Sequence, residues 1–129
     1  MRKLFVVSVS VLALFAGAAQ ARPSAEVNAE EFYVAARALE EKGALALFDS
    51  RMKPMQKQMK DAGLSARTAN AAATKRGDPL YCVSEAERKK GAGVEKVLGM
   101  LEALGRPLRT RLTLEDAWMA ALKRTYPCS

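Results

Sequence analysis

The sequence predicts an all-α domain, a small bundle of four to five short helices with one intrachain disulfide. Three observations carry that prediction. Apolar residues recur at helical spacing along most of the chain. No extended run alternates with the period of a strand. Two cysteines, Cys82 and Cys128, are present in a chain that opens like an exported protein.

The opening, residues 1–21, reads MRKLFVVSVSVLALFAGAAQA. Arg2 and Lys3 precede an apolar run from Leu4 to Ala16, and Ala19-Gln20-Ala21 is a small-x-small cleavage site. This is the pattern of a secretory signal peptide cut after Ala21. The run is short for a membrane span, so no integral membrane segment is expected after cleavage. The full chain has 129 residues and net charge +7. Cleavage leaves 108 residues with 19 basic and 14 acidic groups, or +5. Nineteen of the remaining residues are alanine, so the core rests on thirty larger apolar side chains. A domain of that size is marginal without a staple.

The cysteines supply a candidate. An exported chain meets an oxidising compartment, and pairing Cys82 with Cys128 closes a loop of 47 residues. The chain-entropy model values such a loop at about 4 kcal/mol. A reactive thiol is the weaker alternative, since there is no CxxC and no His. An intermolecular bridge through Cys128 is the other.

The elements are taken in chain order. Arg22 to Val27 is a polar, flexible lead before a single helical domain over 28–129. Asn28 opens the first helix, with Glu31 at capping-box spacing. Phe32, Ala35, Ala36 and Leu39 make its apolar face, and Gly43 ends it. Leu45, Phe48, Met52, Met55 and Met59 step by three and four, predicting a second helix that stops at Gly63. Pro54 lies off that stripe. It either bends the helix or marks the first turn of a shorter one. The methionines suit either core or an adaptable contact surface, core being the ordinary use.

Ser65 to Lys75 reads as a separate alanine-rich helix. Arg76-Gly77-Asp78-Pro79 is a turn, and Leu80 to Val83 an ordered connector carrying Cys82. Ser84 and Glu87 repeat the capping-box spacing, and Gly91 and Gly93 break the helical pattern before Val94. Val94, Val97, Leu98, Leu101 and Leu104 give the next apolar face, ended by Gly105 and Pro107. Leu108 to Leu112 reads as a basic loop, flanked by Arg106 and containing Arg109 and Arg111. Thr113 caps the last helix, with Glu115 and Asp116 at its positive end and Lys123 and Arg124 at its negative end. Leu114, Ala117, Trp118, Ala121 and Leu122 face inward. Pro127 stops the helix, and Cys128 ties the tail back.

From Gly77 to Cys128 the chain resembles the Rap/Tai family of immunity proteins, which neutralise peptidoglycan amidase effectors of type VI secretion systems. The resemblance rests on Gly77, Tyr81-Cys82-Val83, Val97-Leu98 with Leu101, Pro107, Ala121-Leu122 and Tyr126-Pro127-Cys128. It covers about half the mature chain. Two features depart from the family pattern. Ser84 stands where proline is frequent, and 62–76 lacks the earlier cysteine that many members carry. The resemblance implies a periplasmic helical protein that occludes an amidase, often as a homodimer. It assigns the cysteines to structure and carries over no contact residue.

Function classes narrow accordingly. Without His, catalytic triads and His-ligated metal sites are out of reach. Glu30-Glu31 and Glu40-Glu41 read as helix-surface charge, and no nucleophile–base set stands out, so no enzyme, cofactor or metal site is expected. Arg88-Lys89-Lys90 and the Arg106, Arg109, Arg111 set are the basic clusters. Export makes nucleic acid an unsuitable target, and attraction to anionic envelope surfaces would be salt-sensitive. Exposed candidates for a protein partner are the Gly43 junction, the Arg76-Gly77-Asp78 turn and, above all, Arg106, Arg109 and Arg111. The alternative function is a periplasmic stress or chaperone-like helical protein with no amidase partner.

Overall fold

The computed structural model describes residues 21–129. The expected signal peptide therefore lies outside the described residues except for Ala21. Among the described residues six α-helices are present: α1 (Ala29–Glu41), α2 (Met52–Lys75), α3 (Glu85–Lys90), α4 (Val94–Ala103), α5 (Arg106–Arg111) and α6 (Leu114–Thr125). Short 3-10 turns cover Ser24–Glu26 and Gly43–Phe48. Among the described residues the only β pairing is an isolated bridge between Asn28 and Thr113. The all-α bundle with one disulfide is thus the observed architecture.

The caps form as their side chains dictate. Asn28 Oδ1 accepts from the N–H groups of Glu30 and Glu31. Ser84 and Thr113 hydroxyls accept from the N–H of Glu87 and Asp116. Each satisfies donors that a helix start leaves without partners. Asn28 also donates to Thr110 O at 2.9 Å, and Leu114 N–H to Val27 O at 2.7 Å. The starts of α1 and α6 are thereby held side by side.

α6 is the central element. Leu114, Ala117, Trp118, Ala121 and Leu122 are all buried, as their spacing requires. α6 meets α2 through alanines: Ala117 and Ala121 on one helix, Ala62 and Ala66 on the other, none more than 2% exposed. α4 adds Leu98, Met100 and Leu101, and α1 adds Ala29, Phe32 and Leu39.

Four expectations are corrected. The lead over 22–27 is not loose. Ser24 is fully buried, with its N–H and hydroxyl both 2.7 Å from Asp61 Oδ2, and Val27 is in the core. The stripe from Leu45 to Met59 is not one helix, because 43–48 is a 3-10 turn with Leu45 and Phe48 exposed. The helix starts at Met52. Pro54 is then its third residue, where a missing N–H costs nothing. Gly63 does not stop α2, which runs on to Lys75. Glycine inside a helix costs only about 1 kcal/mol relative to alanine, and the buried Ala62 and Ala66 on either side outweigh it. Lastly, Arg106–Arg111 is helix α5 rather than a loop. Gly105, at φ 82°, ends α4, and Pro107 occupies the first turn of the next helix instead of terminating the previous one.

The disulfide joins Cys82 and Cys128 with a Cα–Cα distance of 5.0 Å. Beside it, Cys82 N–H donates to Tyr126 O at 2.8 Å. Asn70 of α2 holds the other side of the connector. Its Oδ1 accepts from Leu80 and Tyr81 N–H, and its Nδ2 donates to Tyr81 O. The connector is therefore fixed between α2 and the tail of α6.

Two outcomes test this architecture. Replacing Cys82 and Cys128 together with serine is expected to lower unfolding free energy by about 4 kcal/mol. Urea denaturation against the oxidised protein checks it, and reduction of the native protein should reproduce the loss. The second concerns acid. Ser24 N–H and hydroxyl hold the Asp61 carboxylate below the ordinary carboxylate range. A depressed folded-state pKa stabilises above the unfolded value and loses that contribution as pH falls through the folded one. Stability is expected to drop below about pH 4, and Asp61→Asn to lower neutral stability while flattening the acid limb. An acid limb unchanged in Asp61→Asn, followed by circular dichroism, would remove Asp61 from that role.

Candidate functional site

Arg106, Arg109 and Arg111 lie together on α5 but do not act together. Arg109 is buried, 5% exposed. Its Nε donates to Glu30 Oε2 at 2.6 Å, and its Nη1 donates to Leu101 O and Glu102 O at 3.0 and 3.2 Å. Its guanidinium carbon lies 4.1 Å from the centroid of the Tyr33 ring. The side chain thus bonds α1, places positive charge on the last carbonyls of α4, and stacks on an aromatic face. It is unavailable to a partner, so its assignment as a contact residue is corrected. Arg106 is exposed and 3.8 Å from Glu30 Oε1. Arg111 is exposed and donates to Pro107 O at 3.3 Å.

Glu30, read from sequence as surface charge, is the partner of the buried arginine. The spacing of 79 residues hid the pair. No local signal marked Arg109 for burial, and a buried arginine needs a paired carboxylate that only the folded chain supplies.

The concave surface lies elsewhere, along α2. A groove of about 780 Å³ runs between α2, the Tyr81 connector and α6. Lys60, Arg67 and Asn70 of α2 line one wall. Tyr81 and Arg88 line the other, with Trp118 at the base. Gly63 and Ala71 keep the α2 wall low, and a Cβ at Gly63 would meet nothing within 4 Å. No carboxylate lines it. Among the described residues, none of Lys60, Arg67 and Arg88 enters an ion pair. Burial pushes the Tyr81 phenol up, and the positive charges of Arg67 and Arg88 oppose that shift.

A second groove of about 560 Å³ adjoins the first and shares Lys60, Gly63 and Trp118 with it. Apart from Gln56 and Lys60 its lining is apolar, and it includes Met52, Met55, Met59, Phe32, Val94 and Val97. Methionine is a soft surface that re-packs against varied shapes. The sequence stripe pointed to these methionines as core; all three are half-buried, and Met55 and Met59 pack against the core while also lining the groove. Beyond the groove, Leu45, Leu47 and Phe48 stand 70%, 74% and 88% exposed at the Gly43 junction.

Elsewhere on the surface some charges are paired with each other. Asp49 is held well below the carboxylate range by Arg51 and Lys42. Lys96 is raised to about 12 by Glu87 and then by Tyr126, whose ring it overlies at 5.5 Å. That pairing fastens α3, α4 and the C-terminal tail to one another.

Arg109 gives a test of the structural assignment. Breaking a buried pair from one side strands a charge and costs about 3 kcal/mol or more. Arg109→Ala is expected to lose that much by urea denaturation. Arg109→Lys should recover little, because an ammonium cannot supply the guanidinium fork. Arg106→Ala should stay within about 0.5 kcal/mol of the native protein. Equal effects at 106 and 109 would contradict the buried role.

Comparison with protein-family models, with curated proteins and with solved structures returned no match for this chain.

Proposed function

We propose that this is a periplasmic binding protein that occludes a peptidoglycan amidase effector, in the manner of the Rap/Tai immunity proteins it resembles. The observation that supports the reading is the meeting of the two halves of the motif. Tyr81-Cys82-Val83 and Tyr126-Pro127-Cys128 are joined by the disulfide and by the Cys82–Tyr126 backbone bond. The disulfide fits an oxidising compartment. Among the described residues no helix is long and apolar enough to cross a membrane. Occlusion requires a shaped, rigid surface and no chemistry of its own. The pinned connector beside the α2 groove offers such a surface, with charge at one end and methionine at the other.

One observation favours a second reading. Leu45, Leu47 and Phe48 form an exposed apolar turn, and contiguous apolar surface marks contact with other molecules. A chaperone-like protein would use it to hold unfolded clients.

Co-expression with a periplasm-directed amidase of the type VI class decides between them. Protection from lysis and a stable complex with the enzyme are expected. Unchanged toxicity with no complex, together with suppression of client aggregation by the purified protein, would replace the first reading with the second.

A further inference from the structure

We infer that the groove between α2, the Tyr81 connector and α6 is the docking site for an acidic, extended segment of a protein partner. The inference deepens the binding-protein reading and rests on it. Charge carries it first. Lys60, Arg67 and Arg88 line one concave surface without an acidic residue in its lining, and among the described residues none of the three has an ion-pair partner. Three cations brought together repel one another, and an anionic occupant removes that cost.

Shape carries it next. Lys60, Gly63, Arg67, Ala71 and Thr74 recur at steps of three and four, so they share one face of α2. From 60 to 74 the helix rises about 21 Å. An extended chain covers that in about six residues. The low wall at Gly63 and Ala71 admits backbone, and Trp118 gives a flat apolar base for one side chain. Where the groove passes Lys60 it opens onto the methionine-lined one. A segment of alternating acidic and apolar residues matches both parts.

Rigidity favours docking without reorganisation. Tyr81 is held at its backbone by Asn70, and the connector beyond it by the disulfide. Pre-set walls spare the partner the ordering cost.

The protein carries its own reporter, since Trp118 is its sole tryptophan. The full, oxidised chain is titrated with a hexapeptide of alternating glutamate and leucine, following Trp118 emission. A lysine–leucine hexapeptide and an oligogalacturonate of similar charge serve as the comparison arms. A saturable emission change with the acidic peptide alone is expected. Arg67→Glu with Arg88→Glu should weaken it about tenfold. Ala71→Phe, at an exposed position, should weaken it without altering charge. Arg106→Glu with Arg111→Glu, on α5 outside the groove lining, should leave it unchanged. The inference is overturned by no saturable change, by equal binding of the lysine peptide, or by equal binding of the oligogalacturonate. It is also overturned if the α5 pair weakens binding as much as the groove pair. The amidase reading fails separately. Should the native protein and the Arg67/Arg88 variant protect equally well in co-expression, the groove assignment falls and the amidase reading stands. Should the acidic peptide dock and no amidase bind, the reverse holds.

Discussion

Alanine sets the terms of this fold. α2 and α6 meet through Ala62, Ala66, Ala117 and Ala121, all but fully buried. Small side chains let the two helices approach closely and gain dispersion contacts. They also bury little area per residue, and area removed from water is the main source of stability. The bundle therefore relies on specific joints at its margins. The disulfide closes the tail, Asp61 holds Ser24, and Arg109 joins α1, α4 and α5.

The same alanine content shapes the surface. Where large side chains would fill the space between α2 and its neighbours, Gly63 and Ala71 leave it open. The resulting depressions lie beside an aromatic base and under three cations. A core that is sparse inside thus produces a groove outside. The joints that compensate for the sparse core, above all Asn70 and the disulfide, also hold the groove's far wall in place.

Legibility in the sequence varied with the range of the interaction. Caps at Asn28, Ser84 and Thr113 and the inward face of α6 were readable, because the side chain and its partner lie within a turn or two. The breaks were less so. Gly63 and Pro54 carry the same local signals whether they end a helix or sit within one; burial of the neighbouring Ala62 and Ala66 carries α2 past Gly63, and the start at Met52 puts Pro54 in the first turn. The arginines of α5 show the limit most clearly. Three basic residues in six look like a solvated cluster, yet Arg109 is interior because Glu30 and Tyr33 are there to receive it.

From the sequence alone came the helical class, the export signal pattern, the exclusion of histidine chemistry and the two cysteines available for pairing. Each rests on composition or on local periodicity. The tertiary structure decided which cations are buried and which converge, and it set the methionines at the core's edge, where they also line a groove. Those outcomes depend on residues distant along the chain, and no local pattern encodes how close they come in space. Burial of Arg109 turned the cluster singled out from sequence into a structural joint. The surface best suited to a partner moved to α2, where Lys60, Arg67 and Arg88 never appear adjacent along the chain.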